Sequence, residues 1–232
     1  MGFNIPIETV NLFTSRPPAH AKHPARYTPA LLPIMAGMLR GARRILDPFA
    51  GVGGVFGLTA WLPDATIEAI ELEPEWAACD ARVTQGNALH LPYPAGYFDA
   101  VCTSPTYGNR LADHHHARDA TRRRSYTHDL GRPLHPDNSG RLQWGEVYRE
   151  FHRRAWIEAR RVMTPGARFV LNCKDHVRGG ELAGVTAWHV ETLIGLGFEL
   201  VREERVLCPG MRYGANHQAR VEYENVILLR RG

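Results

Sequence analysis

The stretch Ile45-Leu46-Asp47-Pro48-Phe49-Ala50-Gly51-Val52-Gly53-Gly54 decides the fold. The residues from Arg44 to Leu46 read as a buried strand running into Asp47. Gly51 to Gly54 form a tight turn, and residues 55–61 start a helix. Glycines in such a turn let the backbone bend sharply and approach a ligand closely. In open α/β sheets ligands bind beyond the carboxyl ends of the strands, so this turn is the first candidate binding feature. A dinucleotide fingerprint, G-x-G-x-x-G, would need a third glycine where Phe56 stands. Asp47 also fits poorly beside a pyrophosphate, and better beside a cation that carries a free amino group.

Outward from this stretch the chain alternates strand and helix. Residues 27–39 read as a helix broken near Pro33. A second strand is expected over 66–72, a helix over 75–81, a short strand over 81–84 and another strand over 98–103. A long helix follows at 146–162, with Val147, Phe151, Ala155, Ile157 and Val162 as its expected buried face. A strand at 167–172 and a helix at 185–196 come next. Residues 198–207 and 221–229 are two final strands with no helix between them, which predicts one antiparallel strand in an otherwise parallel sheet.

The whole chain of 232 residues reads as one α/β domain, with an irregular N-terminal arm over residues 1–25 and an inserted loop over 108–145. No apolar run approaches the roughly 20 residues of a membrane span, and residues 1–10 lack the pattern of a secretory signal. Cys79, Cys102, Cys173 and Cys208 are far apart, as expected of reduced thiols in a cytoplasmic protein. The net charge of +4 and pI near 9.0 are compatible with a polyanionic partner.

Ile45 to Gly54 resembles motif I of class I S-adenosylmethionine-dependent methyltransferases, in the form found among DNA amino-methyltransferases. The resemblance implies a Rossmann-like, mostly parallel sheet with an antiparallel last strand, and S-adenosylmethionine as cofactor. It assigns Asp47, Phe49, Gly51 and Gly53 to the cofactor site. Ala69-Ile70-Glu71-Leu72-Glu73-Pro74 supplies Glu71 where the family places an acid that binds the ribose hydroxyls. Gly86-Asn87-Ala88 stands where the family usually has Gly-Asp-Ala, whose acid holds the adenine amino group. Asn87 is expected to accept that hydrogen bond through its amide oxygen, beside Ala88. Lys22-His23-Pro24-Ala25-Arg26-Tyr27 resembles the segment that such enzymes fold over the methionine end of the cofactor.

Cys102-Thr103-Ser104-Pro105-Thr106-Tyr107-Gly108 resembles the family's [D/N/S]-P-P-[Y/F/W] motif. An exocyclic amino nitrogen is conjugated with its ring and is a poor nucleophile. Acceptors on its two protons localise the lone pair and aim it at a methyl group. The Ser104 hydroxyl and the Pro105 carbonyl are the candidate acceptors, and Pro105 stiffens the loop. Tyr107 offers a stacking face worth roughly 1–3 kcal/mol per base. Thr106 replaces the family's second proline and is a candidate substrate contact. Ser104 resembles N4-cytosine enzymes, so cytosine N4 in DNA is the expected target. Adenine N6 comes second, then guanine N2 in RNA or a protein glutamine, or a weakly catalytic nucleic-acid binder.

The insert carries Arg110, Arg122, Arg123 and Arg124 directly after this motif. They are expected to grip phosphate and support a base drawn out of its stack. Asp113-His114-His115-His116 reads as loop polarity, with no metal expected, because adjacent histidines alternate in direction. Lys174 and His176, after the strand at 167–172, are further candidates for phosphate or base.

Overall fold

The computed structural model describes residues 23, 27–109, 111–112, 125–208 and 221–232. A 3-10 turn at Pro29–Leu31 runs into α1 (Leu32–Met38). Pro33 sits in the first turn of α1, where a missing N–H costs no helical bond. The stretch expected as a helix broken near Pro33 thus forms two segments that meet beside that residue. The strands are β1 (Arg44–Asp47), β2 (Thr66–Glu71), β3 (Val83–Gln85), β4 (Phe98–Thr103), β5 (Met163–Cys173), the hairpin β6 (Val177–Arg178) and β7 (Glu181–Leu182), then β8 (Phe198–Leu207) and β9 (Tyr223–Arg231). The helices after α1 are α2 (Pro74–Ala77), α3 (Tyr126–Leu130), α4 (Glu146–Val162) and α5 (Val185–Gly195). The helical turn after β1, Gly54–Ala60, is 3-10 throughout.

Seven strands form one sheet in the order β3-β2-β1-β4-β5-β9-β8. β1, β2, β3, β4 and β5 pair in parallel, and β9 runs antiparallel to both β5 and β8. The expected antiparallel last strand is thus present. Side chains alternate between two cores, as the period of a strand requires. Ile45 joins Leu31, Met35 and Phe56 on one face, and Leu46 joins Trp156, Phe169 and Leu193 on the other.

The buried stripe of α4 includes the expected Ala155 and Val162 but otherwise differs from expectation. Tyr148, His152, Ala155, Trp156, Ala159 and Val162 are buried, whereas Val147 and Ile157 are 70% and 50% exposed. The inward face carries polar aromatic rings, several joined by internal hydrogen bonds. Trp156 Nε1 donates to His189 Nδ1 at 3.0 Å, so His189 carries its proton on Nε2. From there it donates to the Tyr148 hydroxyl at 2.9 Å. Tyr148 in turn donates to the Thr106 carbonyl at 2.6 Å. Burial holds both imidazoles neutral: it pulls His152 down to about 3 and lowers His189 as well.

The strand order reverses between β1 and β4, and there a sheet of this kind opens a crevice at its carboxyl edge. Thr103 Oγ1 donates to Asp47 Oδ1 at 2.7 Å and ties the ends of these two strands together. The described part of the insert, residues 125–145, packs over this edge. Ser125 caps α3 by accepting from the His128 amide at 3.2 Å, and Asn138 caps a 3-10 turn at Ser139–Arg141. A region expected to lack regular structure therefore forms a wall. Among the described residues no helix is long and apolar enough to cross a membrane, and no group of three or more His, Cys, Asp or Glu is arranged to hold a metal ion.

Candidate active site

A cavity of about 610 Å³ lies at the ends of β1, β2 and β4. Phe49, Gly51, Gly53, Glu71, Asn87, Ala88, Ser104, Pro105, Thr106 and Tyr107 all line it. Asp47 lies just beneath and is fully buried. The sequence-derived candidates thus converge on one space. Arg110, Arg122, Arg123 and Arg124, together with Asp113 to His116, lie outside the described residues.

The floor is the turn after β1. Gly51 and Gly53 have φ of 54° and 82°, in the left-handed region that favours glycine. A Cβ on Gly51 would come within 3.1 Å of the His23 ring. Asp47 Oδ1 also accepts from the Phe49 amide at 3.0 Å, and Oδ2 accepts from the Tyr27 hydroxyl at 3.4 Å. His23 and Tyr27 both line the cavity, so these two members of the N-terminal motif cover the end where Asp47 lies. Burial pushes Asp47 up to about 7 against the pull of its hydrogen bonds from Thr103 and Phe49. Glu71 is likewise pushed up to about 7 by burial, opposed by its backbone donors. Its carboxylate accepts from the Gly51 amide at 2.9 Å and the Glu73 amide at 2.8 Å. A carboxylate has about four acceptor sites, so capacity remains for a ligand.

Asn87 is engaged at both ends of its amide. Its Oδ1 accepts from the Leu89 amide at 2.9 Å, and its Nδ2 donates to Asp137 Oδ2 at 3.0 Å. The insert thus places an acid, Asp137, beside the Gly86-Asn87-Ala88 turn. Asp137, Asn138 and Ser139 line the cavity with Tyr126 and Trp76. The insert is anchored by Glu73, which is 1% exposed. Glu73 accepts from Arg132 at 2.8 Å, the His135 amide at 2.7 Å and Asn138 Nδ2 at 2.8 Å. Arg132 also binds Glu75 at 2.5 Å and holds that carboxyl below its ordinary range.

The far half of the cavity is the loop after β4. Thr106 Oγ1 donates to Ser139 Oγ at 2.9 Å. That bond and the one from Tyr148 hold the loop where the family's second proline would stiffen it. Ser104 Oγ lies 2.8 Å from the Tyr107 hydroxyl. Asn172 Nδ2 reaches Ser104 Oγ at 3.2 Å, the Tyr107 hydroxyl at 3.0 Å and Glu224 Oε2 at 2.7 Å. Burial and the nearby Glu224 carboxylate raise Tyr107 well above the ordinary phenol range, so it remains a donor. Lys174 points away, to the Cys208 carbonyl at 2.8 Å. Sequence reasoning missed Glu224 and Asp137. It noted the segment holding Asn172 but assigned its chemistry to Lys174 and His176.

The lining suits a cation. Among the described residues it contains Glu71, Asp137 and Glu224 but no Lys or Arg. A dinucleotide pyrophosphate would meet uncompensated repulsion there. S-adenosylmethionine carries a sulfonium and an amino group and no phosphate, so the donor set fits it.

No protein-family model and no curated protein matches the chain. Solved structures do match. TrmN from Thermus thermophilus is 17% identical, with a TM-score of 0.53 over 90% of this chain and 50% of that one. The [4+2]-cyclase SpnF is 17% identical, with a TM-score of 0.55 over 90% of this chain and 84% of that one. A SAM-dependent methyltransferase from Methanosarcina mazei is 12% identical, with a TM-score of 0.54 over 89% of this chain and 99% of that one. The chain spans about half the length of the TrmN chain it matches. A cyclase among these proteins means that the fold alone does not fix the reaction. The sheet order, its antiparallel last strand and these likenesses give the chain the Rossmann-like fold of the class I methyltransferases.

Proposed function

We propose that the chain is an S-adenosylmethionine-dependent methyltransferase acting on the exocyclic amino nitrogen of a nucleic-acid base, with N4 of cytosine in DNA as its target. One observation carries this reading: Ser104 and Pro105, at the end of β4, line the same cavity as Glu71 and Asp137, at the end of β2 and in the insert. Acceptors for an amino group and an anionic site for a cationic donor therefore share one enclosed space.

The cofactor supplies a methyl group activated by positive sulfur. The chain supplies everything else. Glu71 holds the ribose hydroxyls with its remaining acceptor sites. Asp137 accepts from the adenine amino group, beside Asn87, whose amide it already holds. Asp47 faces the methionine end through the turn it organises. Tyr107 packs against the target base, and Ser104 and Pro105 accept its amino protons. Alignment of this kind contributes by fixing a near-attack geometry. DNA is the partner that the basic segment after Tyr107 suits, with Arg110, Arg122, Arg123 and Arg124 as its phosphate contacts.

The test is incubation of the protein with labelled S-adenosylmethionine and DNA, followed by mass spectrometry of the released nucleosides. N4-methylcytosine is the expected product. N6-methyladenine alone would move the assignment to adenine and spare the chemistry. Absence of label in DNA, RNA and protein would overturn the reading.

A further inference from the structure

Methylation of an amino nitrogen releases a proton, and most groups around Ser104 cannot keep it. The Asn172 amide and the Ser104 hydroxyl are not bases at ordinary pH. Tyr107 stays protonated, since burial and Glu224 raise it. Asp137 and Glu71 belong to the other half of the cavity, beside Asn87 and Gly51. Among the described lining residues, one carboxylate remains at the Ser104 end, that of Glu224 on β9.

The geometry around it forms a chain. Tyr107 donates to Glu224 Oε2 at 3.5 Å, and Ser104 Oγ lies 2.8 Å from the Tyr107 oxygen. Because the Tyr107 proton is directed to Glu224, the Ser104 proton points to Tyr107. That leaves a lone pair on Ser104 Oγ for the substrate. Asn172 holds the three oxygens together with one amide nitrogen, at 2.7 to 3.2 Å. Its own Oδ1 is buried without a partner among the described residues. An unsatisfied buried acceptor is destabilising, and the arrangement carries that cost while it presents N–H to the carboxylate and both hydroxyls.

We infer that Glu224 is the terminal proton acceptor of the reaction, reached through Ser104 and Tyr107. This inference rests on the function proposed above. In the step, the amino nitrogen forms its bond to the methyl carbon as the carbon–sulfur bond of the donor breaks. The nitrogen then releases one proton to Ser104 Oγ. The Ser104 proton passes to Tyr107, and the Tyr107 proton passes to Glu224. The carboxylate ends as a neutral acid and later returns its proton to solvent. The other titratable groups near Glu224 are Tyr107, Cys173 of β5 and Cys208 beyond β8. Burial raises all three, so they stay neutral.

Single-turnover methyl transfer at saturating S-adenosylmethionine, measured against pH, tests this. The wild-type rate is expected to fall on acidification. Glu224→Gln is expected to slow transfer about a hundredfold or more and to remove that acid limb, as loss of a general base does. Cofactor affinity by calorimetry stays unchanged in the variant. A second readout needs no turnover: the Glu224 carboxyl carbon, followed by NMR in the free wild-type protein, should titrate at the midpoint of the acid limb. That comparison decides the matter if Glu224→Gln does not fold. A variant with wild-type rate and profile would overturn the relay while leaving the methyltransferase reading intact, and so would mismatched midpoints. A wild-type protein that transfers no methyl group would overturn both.

Discussion

Asn87 Nδ2 donates to Asp137 Oδ2 across 3.0 Å, joining the turn after β3 to an insert fifty residues further along the chain. The contact brings an acid of the insert beside the Gly86-Asn87-Ala88 turn. Asp137→Ala is expected to weaken S-adenosylmethionine binding about tenfold, in keeping with roughly 1.5–3 kcal/mol for a charge-assisted hydrogen bond and its partial exposure to water. An analogue with hydrogen in place of the adenine amino group should bind wild type and variant equally. Equal loss for both ligands in calorimetry would remove Asp137 from the adenine contact.

The two acids pushed up to about 7, Asp47 and Glu71, give the ligand-free protein a definite pH response. In the unfolded chain both ionise near pH 4, but in the folded protein they hold their protons until about 7. The folded state therefore binds more protons between these values, and stability falls as pH rises through that window. Their contribution is complete below pH 4 and lost above 7. Asp47→Asn should show a shallower fall between pH 5 and 8 in thermal melts. A cationic ligand prefers the ionised acids, so S-adenosylmethionine should raise the melting temperature more at pH 8 than at pH 6. Parallel melting curves for wild type and Asp47→Asn would contradict this.

Arg132 bridges Glu73 and Glu75. Removing it leaves the buried Glu73 carboxylate with only its neutral donors from His135 and Asn138. Breaking a fully buried pair costs about 3–5 kcal/mol, and the partial exposure of Arg132 reduces that to roughly 1–3. Arg132→Ala should lower the melting temperature and speed amide exchange across residues 125–145. Protection that stays at the wild-type level would show that the anchor lies elsewhere.

Ser104→Ala should leave cofactor affinity intact and slow transfer by the equivalent of about 2–4 kcal/mol, by analogy with loss of one preorganised donor in an oxyanion hole. The structure sharpens the companion variant. Tyr107→Phe keeps the ring but removes the hydroxyl that lies between Ser104 and Glu224. It should preserve DNA affinity and still slow transfer, so KM and kcat separate. Wild-type kcat in both variants would sink the amino-group mechanism.

The first half of the fold was legible because its signals are local. A strand, two left-handed glycines and a helical turn lie within seventeen residues of one another, and Glu71 follows at the end of the next strand. The face of α4 was read only in part: Ala155 and Val162 are buried as expected, but the bulky inward residues are Tyr148, His152 and Trp156. Hydropathy periodicity favoured Val147 and Ile157, which face out. Glu224 was invisible for another reason. It comes near Asn172 only through the antiparallel pairing of β5 with β9, in which Cys173 faces Asn225. The anchor at Glu73 likewise joins residues about sixty positions apart, and no short-range pattern announces it.

The position of Glu73 has a consequence for the order of events in solution. It lies two residues beyond Glu71, and its carboxylate fixes the segment that carries Asp137. If DNA grips the insert in the arrangement that also lines the cavity, cofactor and DNA each tighten the other by an equal factor. Isotherms for DNA should shift to lower concentration when S-adenosylhomocysteine is present, and cofactor isotherms should shift by the same factor when DNA is. Encounter with either molecule first would leave the protein better prepared for the second.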